Sequence, residues 1–197
     1  MTWNPRVRIV MLLTWFSVCC AVAGSAHAQP FDIAALQRLL QDAPKHELRF
    51  TESRESPWLA APVQTSGRMR TSATMLEKEV EQPRHETWRI LNDRMQVVTA
   101  GSDRPKEILF ANAPAVAALG NALRFAAAGD LRALERDFQL KLGGDERVWT
   151  LQLTPRRSEV ARYVKQLELQ GTQGSLQVID ILEAKGERTT TRLIPNK

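Results

Sequence analysis

The chain has 197 residues, with 27 basic and 22 acidic side chains and a formal net charge of +5. This length suits one domain with a substantial core. The small, dispersed basic excess indicates a solvated surface and not a nucleic-acid-binding one. Both cysteines, Cys19 and Cys20, lie near the N-terminus, so the rest of the chain offers no disulfide, thiol chemistry or thiolate metal site.

The N-terminus has the pattern of a secretory signal peptide. Arg6 and Arg8 precede an uncharged, apolar run over 9–24. The sequence Ala26-His27-Ala28 then places small side chains where a signal peptidase requires them. We therefore expect cleavage after Ala28, export from the cytoplasm and a single mature domain over 29–197.

Two alternatives stay open for this segment. An uncleaved membrane anchor needs roughly 20 apolar residues, whereas this run has about 16. A lipid-modified N-terminus at Cys19 or Cys20 agrees with the small residues that follow them, but the Leu-x-small pattern of such sites does not precede either cysteine.

The next part of the chain begins with one helix and continues as strands. Asp32 is placed to cap a helix over 33–41, in which leucines recur on one side, and Pro44 ends it. From His46 the apolar residues alternate with polar ones, as in a half-buried strand. Turn residues then separate predicted strands over 65–71, 76–80, 87–91, 95–99 and 107–110.

A helical segment interrupts the strands midway. Pro114 suits the first turn of a helix over 114–128 that Gly129 ends, and Asp130 is placed to cap a second, short helix. The period of two then returns and predicts strands over 138–142, 149–153, 162–169, 175–182 and 187–193.

These elements indicate a mainly β (α+β) fold. About 9–11 antiparallel strands form a sheet that must curl or be covered, because a flat one leaves an apolar face in water. We expect a curved, incompletely closed antiparallel β-barrel with the helices covering its concave side.

Little in the sequence points to catalysis. Beyond the leader, His46 and His85 are the near-neutral bases, and both occupy positions typical of solvent-facing side chains. No Gly-x-Ser-x-Gly elbow, phosphate-binding glycine loop or His-Glu-x-x-His pair occurs. We therefore expect no enzyme, no metal and no cofactor. We expect four glutamates to lie on the solvated outer face of their strands, namely Glu77, Glu79, Glu81 and Glu86.

Large apolar side chains lie on the apolar phase of six predicted strands. With Leu123 of the middle helix, they are candidates for the lining of a ligand-binding cavity: Phe50, Met69, Trp88, Phe110, Trp149, Leu151 and Tyr163. The alternative is an ordinary core. Two features favour a cavity. The middle helix is rich in alanine, and the connection that contains Trp58 and Leu59 is apolar where polar residues are usual.

The order of these elements resembles the LolA family of periplasmic lipoprotein carriers. The similar phrases in chain order are Leu36-x-x-Leu39, Gly67-x-Met69, Gln82-Pro83 ahead of Trp88, Gly129-Asp130-Leu131 and Trp149 to Pro155. The resemblance implies a half-open barrel lidded by helices, which shields the acyl chains of its cargo from water. It also implies an inner-membrane exporter and an outer-membrane acceptor as partners.

The sequence departs from the family at two places. The family has an Arg-Pro pair six residues after the glycine of the second strand, whose arginine bonds to the lid, and this chain has Ala73 and Thr74 there. The family also continues past the last matched strand, where this chain has its final residues up to Lys197. We therefore expect a divergent member, whose cargo is a lipoprotein, a lipid or an acylated small product.

Three hypotheses follow. The first is a monomeric periplasmic carrier of an acylated cargo. The second is a periplasmic sensor or adaptor that uses the same barrel to dock a protein partner through Trp58 and Leu59. An enzyme is the third, and a nucleic-acid partner is not expected.

Overall fold

The computed structural model describes residues 31–44, 47–72, 74–102 and 104–195. The predicted signal peptide, His46 and Ala73 lie outside the described residues. The helices and strands are α1 (Ile33–Asp42), β1 (Leu48–Glu55), β2 (Val63–Thr71), β3 (Leu76–Gln82), β4 (Glu86–Ile90), β5 (Arg94–Thr99), β6 (Lys106–Leu109), α2 (Pro114–Ala128), β7 (Phe138–Gly144), β8 (Trp149–Pro155), α3 (Ser158–Ala161), β9 (Val164–Thr172), β10 (Ser175–Glu183) and β11 (Arg188–Pro195).

All of these strands form one antiparallel sheet. Its order is β6-β5-β4-β3-β2-β1-β11-β10-β9-β8-β7. The pairing of β1 with β11 joins the first half of the chain to the second. In the described part of the chain the edge strands β6 and β7 do not pair with each other, so the sheet curves without closing. The predicted mainly β fold, an incompletely closed barrel with helices on its concave side, is confirmed.

The predicted capping residues set the ends of the two main helices. The carboxylate of Asp32 accepts a hydrogen bond from the backbone N–H of Ala35 at 2.8 Å, which satisfies one of the first amides of α1. Helix α2 begins at Pro114 and ends before Gly129, whose φ of 75° is the left-handed conformation that favours glycine. Both predictions are confirmed.

Three predicted elements differ from the structure. The segment after Asp130 is a 3₁₀ helix, Arg132–Arg136, and the Asp130 carboxylate accepts from the N–H of Ala133. Phe110 begins a 3₁₀ turn instead of ending β6. Tyr163 precedes β9, because residues 158–161 form α3 and the Tyr163 N–H bonds back to the carbonyl of Val160.

The core lies between the concave face of the sheet and the helices. Leucines of β8 and β9 lie there with leucines of α1, of the 3₁₀ helix and of the residue before it, and all are fully buried: Leu36, Leu131, Leu134, Leu151, Leu153, Leu167 and Leu169. This burial is the main stabilising contribution in the described part of the chain.

Candidate functional site

The strand register places one set of alternating side chains on the concave face. Phe50 of β1 lies between Leu193 of β11 and Gly67 of β2, and Gly67 lies opposite Val80 of β3. Phe50 is 2% exposed. The concave face is apolar across most of the sheet, with further buried side chains from Met69, Leu76, Ile90, Leu151, Leu153, Leu167, Leu169 and Ile179.

Helix α2 covers this face with small side chains. It packs against β2, β3 and β4, and Ala118, Ala122 and Ala126, each one turn apart, are buried. Gly120 also faces inward, since an added Cβ would lie 3.2 Å from Phe110 and 3.3 Å from Ile90. At about 0.8 kcal/mol per buried methyl group, the three alanines supply only about 2–3 kcal/mol of apolar contact.

A cavity lies at each end of α2. The cavity at the N-terminal end has a volume of about 410 Å³, and its lining includes Pro114, Val116, Leu119, Tyr163, Val164 and Glu183. The cavity at the C-terminal end has a volume of about 400 Å³, and its lining includes Leu40, Leu48, Met69, Ala127, Leu176 and Leu193. Both linings are mainly apolar. Burial raises the pKa of Glu183, and the nearby Glu187 carboxylate raises it further.

The structure separates the predicted lining residues into three groups. Trp88 and Leu123 are partly buried. Tyr163 is 62% exposed, and its side chain borders the cavity at the N-terminal end of α2 instead of lying on a strand. The remaining five are buried in the core, namely Phe50, Met69, Phe110, Trp149 and Leu151. Of these, Met69 also borders the cavity at the C-terminal end of α2.

Trp149 is held in one position within the core. Its indole N–H donates to the carbonyl of Gln173 at 2.8 Å. The ring also fills the space above Gly171, where an added Cβ would lie 2.2 Å from the ring. Trp149 therefore packs as a structural residue in this closed arrangement.

The predicted rim residues lie in the connection between β1 and β2. Trp58 is 76% exposed and Leu59 is 46% exposed. The connection is anchored beside the turn between β10 and β11, because Ser56 donates to the Glu187 carboxylate, which also pairs with Arg54. This rim offers an apolar surface to solvent.

The sequence analysis missed a polar cluster on the concave face. Glu52 is in phase with Phe50, and Lys78 is in phase with Val80. The Lys78 ammonium lies 2.7 and 2.6 Å from the two oxygens of Glu52. The sequence carries a signal for this cluster, because both charged residues occupy the apolar phase of their strands.

The prediction that Glu86 lies on the outer face is wrong. Glu86 is in phase with Trp88 on the concave face, and its carboxylate accepts a hydrogen bond from the Trp88 indole N–H.

Helix α2 contains one buried cation that the sequence analysis also missed. Arg124 is 8% exposed, and within the described residues its Nε atom has no hydrogen-bond partner. One terminal nitrogen donates to the side-chain oxygen of Asn121 at 3.3 Å, and the guanidinium lies 4.3 Å from the ring centre of Phe125. Burial lowers the pKa of Arg124.

The structure describes His85, one of the two histidines that the sequence analysis considered as bases. His85 is exposed and lies 3.9 Å from Glu79 on the outer face. No group of three or more metal-ligating side chains occurs in the described ranges. Among the helices that the structure describes, none is long and apolar enough to cross a membrane.

Comparison with known families identifies the class of protein. A family model described as outer membrane lipoprotein carrier protein LolA-like matches residues 23–195. The chain therefore belongs to the LolA-like family, and the predicted resemblance is confirmed.

Solved structures match at low sequence identity. A LolA superfamily protein from Nitrosomonas europaea is 13% identical and has a TM-score of 0.43, with 82% of this chain and 89% of that chain covered. A DUF1329 family protein from Desulfovibrio piger is 9% identical and has a TM-score of 0.45, with 83% and 89% covered. No curated protein sequence matches the chain.

Proposed function

We propose that this protein is a periplasmic carrier that binds an acylated cargo on the concave face of its sheet and passes it towards the outer membrane. The observation that carries the proposal is the pair of mainly apolar cavities at the two ends of an alanine-rich helix. If α2 moves away, the two cavities join along the apolar sheet into one site for an acyl chain.

The energetics favour such an exchange. An acyl chain of about 15 methylenes needs on the order of 12 kcal/mol of apolar contact to leave a membrane. The concave face of the sheet offers large apolar side chains such as Trp88, Met69 and Leu76, whereas the buried side chains of α2 include the small Ala118, Ala122 and Ala126. An acyl chain therefore gains more contact on this face than the alanines of α2 give up.

The first prediction is that fixing α2 to the sheet prevents cargo binding. We expect Gly120→Cys combined with Ile90→Cys to form a disulfide between α2 and β4, because a Cβ at Gly120 would lie 3.3 Å from the Ile90 side chain. Protein exported from the full-length chain should bind a fluorescent dodecanoic acid methyl ester only after reduction, as measured by fluorescence titration.

Each single-cysteine variant is the matched control, and both should bind the ester with or without reductant. Equal binding by the oxidised and reduced double variant would show that α2 does not have to move. Native mass spectrometry of protein from the periplasm adds an independent measurement, because a carrier should be recovered with lipid bound.

The remaining parts of the proposal concern location and partners. The predicted leader, cleaved after Ala28, would deliver a monomeric domain over 29–197 to the periplasm. An inner-membrane exporter would load the cargo and an outer-membrane acceptor would receive it. The cargo class is a lipoprotein, a lipid or an acylated small product, and no part of this role uses a cofactor, a metal or catalysis.

A second candidate function is that of a periplasmic sensor or adaptor. The exposure of Trp58 and Leu59 on one rim of the sheet favours it, since exposed aromatic side chains commonly anchor protein interfaces. We expect Trp58→Ala to weaken capture of a protein partner in a pull-down while the lipid content stays constant. Loss of lipid without loss of the partner would instead assign Trp58 to cargo binding.

A further inference from the structure

The concave face contains one part-buried ion pair among its apolar side chains. Glu52 projects from β1 and Lys78 from β3, so the pair reaches across β2, where Gly67 lies between the two strands and has no side chain. The Glu52 side chain is 18% exposed and the Lys78 side chain is 22% exposed. Both side chains therefore keep partial contact with solvent.

Neighbouring groups hold this pair in position. The Thr191 hydroxyl, which is 4% exposed, donates to one oxygen of Glu52 at 2.5 Å. The Thr65 hydroxyl lies 3.5 Å from the other oxygen. The Lys78 ammonium lies 4.7 Å from the ring centre of Phe50, within the range of a cation–π contact. Glu52 and Lys78 therefore stand at the border between the apolar lining and a small polar cluster.

Stability alone explains this arrangement poorly. Desolvation offsets most of the attraction between two part-buried charges, and apolar side chains of similar volume are often as stable or more so. Leucine or methionine would continue the apolar face at both positions. The position of the pair on the face that the carrier proposal assigns to cargo suggests a role in binding.

We propose that Lys78 binds an anionic head group, a carboxylate or a phosphate, on the acylated cargo. This inference rests on the carrier function proposed above. In this structure the Lys78 ammonium pairs with the Glu52 carboxylate, and the anion of the cargo takes the place of that carboxylate. The acyl chain then lies against Phe50 and Trp88, the apolar neighbours of Lys78 on the concave face.

The test compares two probes that differ in charge. Fluorescent dodecanoic acid, ionised at neutral pH, should bind the wild-type protein several-fold more tightly than its methyl ester, because only the acid presents an anion to Lys78; the gain stays below the factor of ten of a new charged hydrogen bond because Glu52 gives up its own contact. Lys78→Met should remove this preference and bring the two affinities together. Lys141→Met, a strand lysine on the outer face, is the matched control and should keep the preference.

Glu52→Gln separates a binding role from a structural one. If Glu52 competes with the anion of the cargo, its neutralisation should strengthen binding of the acid several-fold and leave the ester unaffected. If the pair only supports the fold, the same variant should weaken both. The double variant Glu52→Gln/Lys78→Met leaves no unpaired charge, and its thermal unfolding reports whether loss of binding comes from loss of structure.

Competition between the acid probe and either dodecanoate or dodecyl phosphate shows which anion binds better, and preferential displacement by either supports the proposal. Equal affinity of the wild-type protein for the acid and the ester would overturn the role of Lys78 and leave the carrier function standing. If neither probe binds, the carrier function fails and this inference fails with it.

Discussion

At the scale of single residues, Arg124 is a buried cation whose Nε atom has no hydrogen-bond partner among the described residues. A cation that leaves water loses several kcal/mol unless acceptors surround it. Among the described residues, Arg124 donates to the Asn121 amide and lies on the Phe125 ring, and the Asp130 carboxylate is a nearby opposite charge. Its burial on α2 therefore weakens the packing of α2 against the sheet, which would lower the cost of moving α2 in the proposed carrier.

Replacing this cation should stabilise the protein. We expect Arg124→Met to raise the free energy of unfolding by about 1 kcal/mol or more, and the melting temperature by about 2–4 °C, because methionine keeps the volume and removes the desolvated charge. Arg132→Met, at an exposed position, is the control and should change little. A lower melting temperature for Arg124→Met would show that the guanidinium is well satisfied, and would contradict this account of α2.

At the scale of elements, the sequence predicts position and type well wherever one face is apolar. The alternation of Trp149, Leu151 and Leu153 with polar residues predicts β8, and burial of the same three residues confirms it. The short helix α3 was missed because four residues are too few to show a helical period. As a result Tyr163 was assigned to β9, although the strand begins at Val164.

The site was harder to predict than the fold. The sequence predicts the inward position of Phe50 and Trp88, because the alternation of apolar and polar residues within a single strand is enough to place a large apolar side chain. The pairing of Glu52 with Lys78 was not visible, since it joins two strands separated by a third and depends on the register of both. Burial of Arg124 depends on where α2 lies against the sheet, which its own sequence does not specify.

At the scale of the whole molecule, the sheet has faces of opposite character. The concave face is mainly apolar, whereas the outer face of β2, β3 and β4 carries alternating arginines and glutamates. Glu77 accepts from Arg70 and from Arg89, each at 2.8 Å, and Arg68 lies 2.8 Å from Glu81. These pairs connect neighbouring strands on the outer side, where the alanines of α2 make no contribution.

Glu77 makes the outer face sensitive to acid. Its side chain is 12% exposed, and its hydrogen bond to Arg89, with a further one to Arg70, lowers its pKa. Because the folded state holds the proton less tightly than the unfolded chain, the stabilisation is present at neutral pH and is lost as the pH falls through the folded-state pKa.

Glu77→Gln should therefore lower the free energy of unfolding by about 1–2 kcal/mol at neutral pH. In chemical unfolding experiments, the difference in this free energy between Glu77→Gln and the wild type should shrink as the pH is lowered. Glu135→Gln, at an exposed position, should show no such trend. A difference for Glu77→Gln that stays constant with pH would mean that its charge does not stabilise the sheet.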